Sequence, residues 1–329
     1  MILAETLKAL DATPPALAWN AERAERLQAL EALLNANCPG GQPFDLYQVK
    51  PNPVWEAVAP RIEAAVREAS ETIVEPGVVA IWQLYGSGML VKSGNQLLGF
   101  DVIPMPRFFG WDEPEGLTQR VADVLDALFI THRHEDHCDM ALIEACTRKG
   151  IPVFLPDSVA ETLPASPHLH PMTDEKQVSV GDAEVTGRQD FHVWRETMND
   201  PQLIYYEVNL ANGFTLIFGG DVDYTRGLEY TPGKTVDLLV IPWRNPNARF
   251  EDGHPEQEGA TADAVQIAID RVHPRALLHN HYGELDHIYK WGLGASYSMA
   301  LDLKQRLPTP SEVLFWGEHL RVKARGANG

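Results

Sequence analysis

The order of helix and strand patterns along the 329 residues predicts an α/β protein in which two β-sheets pack together and helices lie outside them. Short β-rich runs dominate residues 77–102 and 184–222, and strand and helix patterns alternate between and after these runs. Residues 1–75 differ from both, because their apolar residues recur at helical spacing. We therefore expect a helical extension over residues 1–75 and a mixed α/β domain over residues 76–329.

The extension contains two predicted helices. Residues 17–36 place leucines at positions 27, 30, 33 and 34 with charges between them, which is typical of an amphipathic helix that ends at Asn37 and Pro39. Residues 54–73 form the second helix, in which Pro60 marks a start or a kink. The apolar face of the extension must pack either on the main domain or on another subunit, so a homo-oligomer formed through it is one expectation.

The main domain begins with strands and continues with alternating elements. The glycine-punctuated segment 77–102 predicts adjacent strands joined by turns. Residues 122–131 are typical of a helix end followed by a buried strand. The other predicted elements are helices over 139–150 and 261–272 and strands over 151–156, 184–222 (three strands), 236–243, 275–282 and 312–322. Acidic residues and histidines fall where these strands end, and functional sites form at such places.

The composition limits the classes of binding partner and the cellular compartment that we expect for the protein. The formal net charge of −19 repels polyanions, which argues against nucleic acid. A small anionic substrate stays compatible, because a bound divalent ion reverses the local field. The three cysteines, Cys38, Cys138 and Cys146, show no disulfide spacing and favour a reducing compartment. The N-terminus has no signal-peptide pattern and no run approaches the roughly 18 apolar residues of a membrane span, so we expect a cytoplasmic protein without a membrane partner.

The segment "THRHEDHCD" (131–139) carries the strongest chemical signal. His132, His134, Asp136 and His137 form the pattern H-x-H-x-D-H between a buried strand and a helix. Imidazole and carboxylate groups are ligands of zinc, manganese and iron. We expect the first two histidines to point at one ion, and Asp136 and His137 to enter the helix and face a second ion. The alternative is a solvated charged turn, but the four-ligand pattern favours metals, about 3.5–4 Å apart as in two-metal hydrolytic sites.

A two-metal site needs further ligands, and three candidates lie at strand ends later in the chain. His192 follows "GRQDF", Asp221 follows "TLIFGG", and His281 lies in "LLHNHYG". His279 is the alternative ligand in that last segment. A thiolate ligand from Cys138 is a further alternative, although a partly buried, inert thiol is the favoured interpretation.

The series "HRHEDH", His192, "FGGD" and "HNHYG" resembles the metallo-β-lactamase superfamily. The resemblance extends to its L-ascorbate-6-phosphate lactonase-like branch, through the opening strands at 77–102, the run "THRHEDHCD" and the segments "WRNPNARFEDG", "TADAV" and "LLHNHYGEL" in the same order. It spans about residues 70–322 and includes a preceding helical arm. It implies a four-layer αββα sandwich with a metal site at one end.

The resemblance also implies the role of each site residue. The first ion would be held by His132, His134 and His192, and the second by Asp136, His137 and His281. His281 is preferred to His279 because the following Tyr-Gly matches the turn of the family. Asp221 would bridge the two ions, which would be zinc, manganese or iron. The aspartates that would support the ligands from behind are Asp101 and Asp139.

The expected function is metal-dependent hydrolysis by a metal-bridging hydroxide, with Asp136 orienting it and accepting its proton. The substrate that the resemblance implies is a lactone or ester of a small, anionic, sugar-acid phosphate-like molecule. A phosphodiesterase is the alternative enzyme, and a metal-binding redox or oxygen sensor is the alternative outside enzymes. Candidates for substrate contact are Arg244, Asn245, Arg249, His254 and Trp111, with ordinary surface pairing or core packing as the competing interpretation.

Overall fold

The computed structural model describes residues 2–37, 53–106, 113–192, 203–228, 235–243, 258–283 and 296–325. Within these ranges the chain forms eight helices and two seven-stranded sheets. The helices are α1 (Ile2–Asp11), α2 (Ala21–Asn37), α3 (Pro53–Glu71), α4 (Leu117–Val124), α5 (Met140–Lys149), α6 (Asp157–Ala160), α7 (Glu258–Val272) and α8 (Tyr297–Arg306). No helix in the described part of the chain is long and apolar enough to cross a membrane.

Both sheets are mixed. The first contains, in spatial order, β14 (His319–Lys323), β1 (Val78–Gln83), β2 (Met89–Ser93), β3 (Gln96–Phe100), β4 (Ala127–Phe129), β5 (Val153–Pro156) and β6 (Leu169–Met172). The second contains β13 (Ser311–Glu312), β12 (Leu277–Asn280), β11 (Leu238–Pro242), β10 (Thr215–Phe218), β9 (Leu203–Asn209), β8 (Ala183–Asp190) and β7 (Gln177–Val180). Strands β3 to β6 are parallel, as are β10 to β13, and the other neighbours are antiparallel.

The central strands bury both of their faces. In β1, Val79 and Ile81 belong to the core between the two sheets, whereas Ala80 and Trp82 belong to the core beneath the helices. Alternate side chains of a strand point to opposite faces, so burial of both faces produces the continuous apolar runs seen in the sequence. Phe129 stacks at 4.8 Å on Phe154 within the inter-sheet core. These layers confirm the predicted α/β fold of two packed sheets with helices outside.

The N-terminal helical extension is present and packs on the chain's own domain. Arg23 of α2 is almost fully buried and donates from both terminal nitrogens to the carboxylate of Glu318, at 2.8 and 2.6 Å. It also donates to the carbonyl oxygens of Thr13 and Val313. Lys92 of β2 donates to the carbonyl oxygens of Ala69 and Ser70 at the end of α3. These contacts pack the extension against the domain of the same chain. An oligomer formed through the extension stays a prediction.

The structure differs from the sequence prediction at several elements. α1, α6, β6, β7 and α8 were not predicted, and the predicted strand over 312–322 is two short strands, β13 and β14, in different sheets. The edge strands β6 and β7 have only four residues each and bury one residue each, so their patterns are too short to identify a strand from the sequence. α3 begins at Pro53 and continues through Pro60, which therefore does not start the helix.

Removing residues 1–70 is expected to abolish cooperative folding of the remaining chain. Ile62 and Val66 of α3 lie in the same buried cluster as Trp82 and Leu90 of the first sheet, so truncation exposes these apolar residues to water. Urea unfolding followed by circular dichroism checks this prediction. A truncated chain with a cooperative transition near that of the full chain would contradict it.

Candidate metal centre

The candidate ligands lie where strands of both sheets end at one edge of the sandwich. Asp101 directly follows β3, and the segment from His132 to His137 follows β4. In the second sheet, His192 follows β8, Asp221 follows β10 and His281 directly follows β12. The carboxyl ends of parallel strands meet at the same edge, so residues far apart in sequence converge there. An antiparallel bridge between His192 and Val222 further fixes the ends of β8 and β10 beside each other.

Three imidazole rings converge in the first half of the site. The Nε2 atom of His132 lies 2.9 Å from Nδ1 of His134 and 3.2 Å from Nε2 of His192. Nitrogen ligands about 2.0–2.1 Å from a tetrahedral ion are roughly 3.3 Å from one another, so these separations fit a shared ion. Burial lowers the pKa of His132 well below its ordinary value and that of His134 to about 4, so both rings are neutral near pH 7 and have a lone pair to offer.

The second half of the site contains Asp136, His137 and His281, whose ligand atoms also converge. His137 is fully buried, and its Nε2 atom has no hydrogen-bond partner among the described residues. The nearest carboxylate oxygens to that atom belong to Asp136, at 3.7 Å, and Asp221, at 3.6 Å. Burial lowers the pKa of His137, but Asp136, Asp221 and Asp101 outweigh burial and hold it well above the ordinary value. A buried ring nitrogen without a partner beside two carboxylates is a place that a divalent cation fits.

Asp221 lies between the two halves. Its Oδ2 atom is 3.5 Å from Nε2 of His192 and 3.6 Å from Nε2 of His137, and its Oδ1 atom is 2.7 Å from Nε2 of His281. Burial raises the pKa of this carboxyl group, but the neighbouring histidines reverse the effect and hold it well below its usual value. The side chain therefore remains an ionised carboxylate, with Oδ2 close to a histidine of each half and Oδ1 close to His281 of the second half.

Asp101 supports the site from the strand behind it. Its Oδ2 atom accepts a hydrogen bond from Nδ1 of His137 at 2.7 Å, which leaves Nε2 of that ring facing the cluster. The same carboxylate accepts hydrogen bonds from the backbone nitrogen and the hydroxyl of Thr131, both at 2.7 Å. Sequence reasoning missed Thr131. The available signal was its position directly before His132, at the end of a buried strand.

The turn between β4 and α5 corrects one prediction. Asp136 and His137 do not enter the helix, because the backbone nitrogens of His137 and Cys138 both bond to the carbonyl oxygen of His134 at 2.9 Å. α5 begins only at Met140 and is capped by Asp139, whose Oδ1 atom accepts from the second and third nitrogens beyond it. Among the described contacts, Asp139 thus supports the ligand turn by fixing the start of the following helix.

Two site residues hold strained backbone conformations. Asp101 has φ 45° and His281 has φ 63°, a region that residues other than glycine rarely adopt. The carbonyl oxygen of His281 accepts a hydrogen bond from Nε1 of Trp243 at 2.6 Å, which helps to hold the strained residue in place. Such outliers concentrate at functional sites, where the surrounding structure enforces them.

The remaining candidates fall outside the cluster or outside the described residues. His279 is fully buried within β12, opposite Ile241, and belongs to neither ligand group. Burial raises the pKa of Cys138 to about 12, so its thiol stays protonated and unreactive. The predicted substrate contacts Arg244, Asn245, Arg249, His254 and Trp111 all lie outside the described residues.

A family model described as β-lactamase superfamily domain matches residues 104–282. The matched range includes every candidate metal ligand of both halves of the site, from His132 to His281. The comparison with curated proteins finds no match.

Solved structures resemble the chain in fold. Igni18, a metallo hydrolase from Ignicoccus hospitalis, aligns with a TM-score of 0.53 at 14% identity, covering 74% of this chain and 98% of that chain. A possible metal-dependent hydrolase from Veillonella parvula aligns with a TM-score of 0.52 at 11% identity, covering 73% and 98%. A variant of the CmlA β-hydroxylase aligns with a TM-score of 0.50 at 16% identity, covering 88% and 62%. At these identities the likeness is one of fold.

Proposed function

The chain belongs to the metallo-β-lactamase superfamily, and on that premise we propose that it is a hydrolase with a dinuclear metal centre. One observation carries the proposal. The carboxylate of Asp221 lies within 3.6 Å of histidine nitrogens in two groups of ligand atoms, one made by His132, His134 and His192 and the other by Asp136, His137 and His281. Two proteins that share the fold agree with it, since Igni18 is a metallo hydrolase and the Veillonella protein a possible metal-dependent hydrolase.

We assign the candidate ligands to two metal ions. His132, His134 and His192 would hold one ion, Asp136, His137 and His281 the other, and Asp221 would contact both. Zinc, manganese and iron all accept such nitrogen and oxygen ligands. When bound, the ions lower the pKa of a coordinated water and polarise the oxygen of the substrate.

Asp136 is the residue that we assign to proton transfer. It is only partly buried, unlike His137, and its carboxylate therefore reaches both the cluster and the solvent side of the site. We propose that Asp136 orients the attacking water, accepts its proton and passes it to the leaving oxygen. His137 and Asp221 take no proton in this scheme, because each is engaged with neighbouring site residues.

For the substrate we propose a lactone or ester of a small anionic molecule. The support is the resemblance of residues 77–102 and 131–139 to the L-ascorbate-6-phosphate lactonase-like branch. The net charge of −19 agrees with a small substrate rather than a polyanion. A phosphodiester is the competing substrate, since the same kind of two-metal site serves both reactions.

The substitution Asp136→Asn is expected to lower turnover by about 10²–10⁴-fold, because the amide cannot accept the proton. The assay uses zinc- or manganese-loaded protein with a panel of lactones and with bis-(p-nitrophenyl) phosphate. Glu135→Gln is the matched control, because Glu135 is an exposed neighbour outside both ligand groups. Absence of turnover of every ester by the natural chain, or full turnover by Asp136→Asn, would overturn the hydrolase proposal.

A further inference from the structure

His132 occupies the centre of the first ligand group, and its protonation pattern decides whether that group can bind an ion. Its Nε2 atom lies within 3.2 Å of a ring nitrogen on both neighbouring histidines. A neutral imidazole carries one proton, on either Nδ1 or Nε2, and only the Nδ1–H form leaves a lone pair on Nε2. Some contact at Nδ1 must therefore select that form.

The contact at Nδ1 is the hydroxyl of Thr131. Its Oγ1 atom lies 3.0 Å from Nδ1 of His132 and 2.7 Å from Oδ2 of Asp101. A carboxylate only accepts hydrogen bonds, so the single hydroxyl proton is donated to Asp101. The hydroxyl then has only lone pairs to offer His132, and Nδ1 of that ring must carry the proton. All three residues are fully buried, which strengthens the preference.

Asp101 also holds a histidine of the other half of the site. Its Oδ2 atom also accepts from Nδ1 of His137 at 2.7 Å, and its Oδ1 atom is held by the backbone nitrogen of Thr131. A single carboxylate oxygen thus sets one histidine in each ligand group, directly for His137 and through Thr131 for His132. The two halves differ in that only the first depends on an intervening hydroxyl.

Thr131 lies directly against the turn that carries Asp221. Gly220 has φ 55°, and a Cβ atom built on it would lie 2.6 Å from Oγ1 of Thr131. A side chain at that position would displace the hydroxyl, so the glycine permits the close approach. The "FGGD" and "THRHEDH" segments are therefore coupled through this contact.

We propose that Thr131 is a positioning residue that selects the Nδ1–H form of His132, and that the first metal position depends on its hydroxyl while the second does not. This inference rests on the proposed metal centre. It predicts that the metal affinity of the first position depends on the hydroxyl of residue 131 and not on the shape of its side chain. Thr131→Val keeps the shape and removes the hydroxyl, whereas Thr131→Ser keeps the hydroxyl.

The test has two readouts. Nitrogen NMR of histidine-labelled, metal-free protein reports which ring nitrogen of His132 carries the proton, with the signal assigned from a His132→Gln spectrum. Chelator competition with zinc reports the affinity of each bound ion. We expect His132 in the Nδ1–H form in the natural chain and in Thr131→Ser. In Thr131→Val we expect loss of that selection and a 10–100-fold weaker affinity for one ion, about the effect of removing a residue that orients a ligand.

The matched control is Thr13→Val, which removes a buried hydroxyl hydrogen bond in the helical extension, outside both ligand groups. It is expected to bind both ions as the natural chain does. An Nε2–H form of His132 in the natural chain, unchanged zinc affinity in Thr131→Val, or equal losses in Thr131→Val and Thr131→Ser would overturn the inference. If the natural chain binds no metal, the metal-centre proposal fails, and the NMR readout on metal-free protein still decides the role of Thr131.

Discussion

Replacing Asp221 with asparagine is expected to lower turnover and the affinity for both ions by at least about a hundredfold. Loss of a residue that only orients a metal ligand weakens affinity by about 10–100-fold, and Asp221 faces the ligand atoms of both groups directly. The amide nitrogen of asparagine would present hydrogen atoms to one group in place of a carboxylate oxygen. Metal content by elemental analysis and turnover of the best ester substrate measure the two effects.

Asp223→Asn is the control for this substitution. Asp223 is also buried and lies on the same loop, but it accepts hydrogen bonds from Thr225 and pairs with Arg226 outside the cluster. A small loss of stability with near-normal metal content is expected for the control. If Asp221→Asn retains two tightly bound ions and the turnover of the natural chain, Asp221 does not join the two halves of the site.

The second large effect is expected on stability. Replacing Arg23 with alanine should lower the free energy of unfolding by about 3–5 kcal/mol, because removal of one partner leaves buried charge uncompensated. Glu318 would lose both hydrogen bonds from the guanidinium, and Glu312, whose Oε1 atom lies 3.6 Å from Nε of Arg23, would keep Lys304 as its one cation among the described residues. Urea unfolding at neutral pH measures the change.

The same helix offers a control with the same side chain. Arg26 pairs with Glu22 at 3.2 Å, but both side chains are substantially exposed, at 43% and 63%. Such a pair contributes about 0.3–0.5 kcal/mol, so Arg26→Ala should shift the unfolding midpoint only slightly. Equal effects of the two substitutions would show that the buried Arg23 network does not hold the extension on the domain.

These two predictions differ in how far the sequence anticipates them. The candidate ligands follow apolar strands and have the residue types that metals require, so His132, Asp221 and the other candidates can be selected from the chain alone. Arg23 cannot, because its partner Glu318 is 295 residues away and nothing local distinguishes Arg23 from Arg26. Long-range ion pairs depend on the packing of elements that only the folded chain brings together.

Local geometry explains the other points at which the structure departs from the sequence prediction or adds to it. The pattern from His134 to Met140 does not reveal that one carbonyl oxygen accepts from two backbone nitrogens, and this turn delays the start of α5. Thr131 was overlooked because a threonine at a strand end is ordinary in composition, and its role becomes visible only through Asp101 and Gly220. The choice between His279 and His281 became a geometric one, since only His281 reaches the ligand cluster.

The central claim is that the chain holds two ions in one site, and zinc titration of metal-free protein by calorimetry, with elemental analysis of the product, tests it most directly. We expect saturation at two ions per chain, and a His132→Ala variant that loses at least one of them. A natural chain that binds no zinc, or a His132→Ala variant that binds two ions as tightly as the natural chain, would contradict the account.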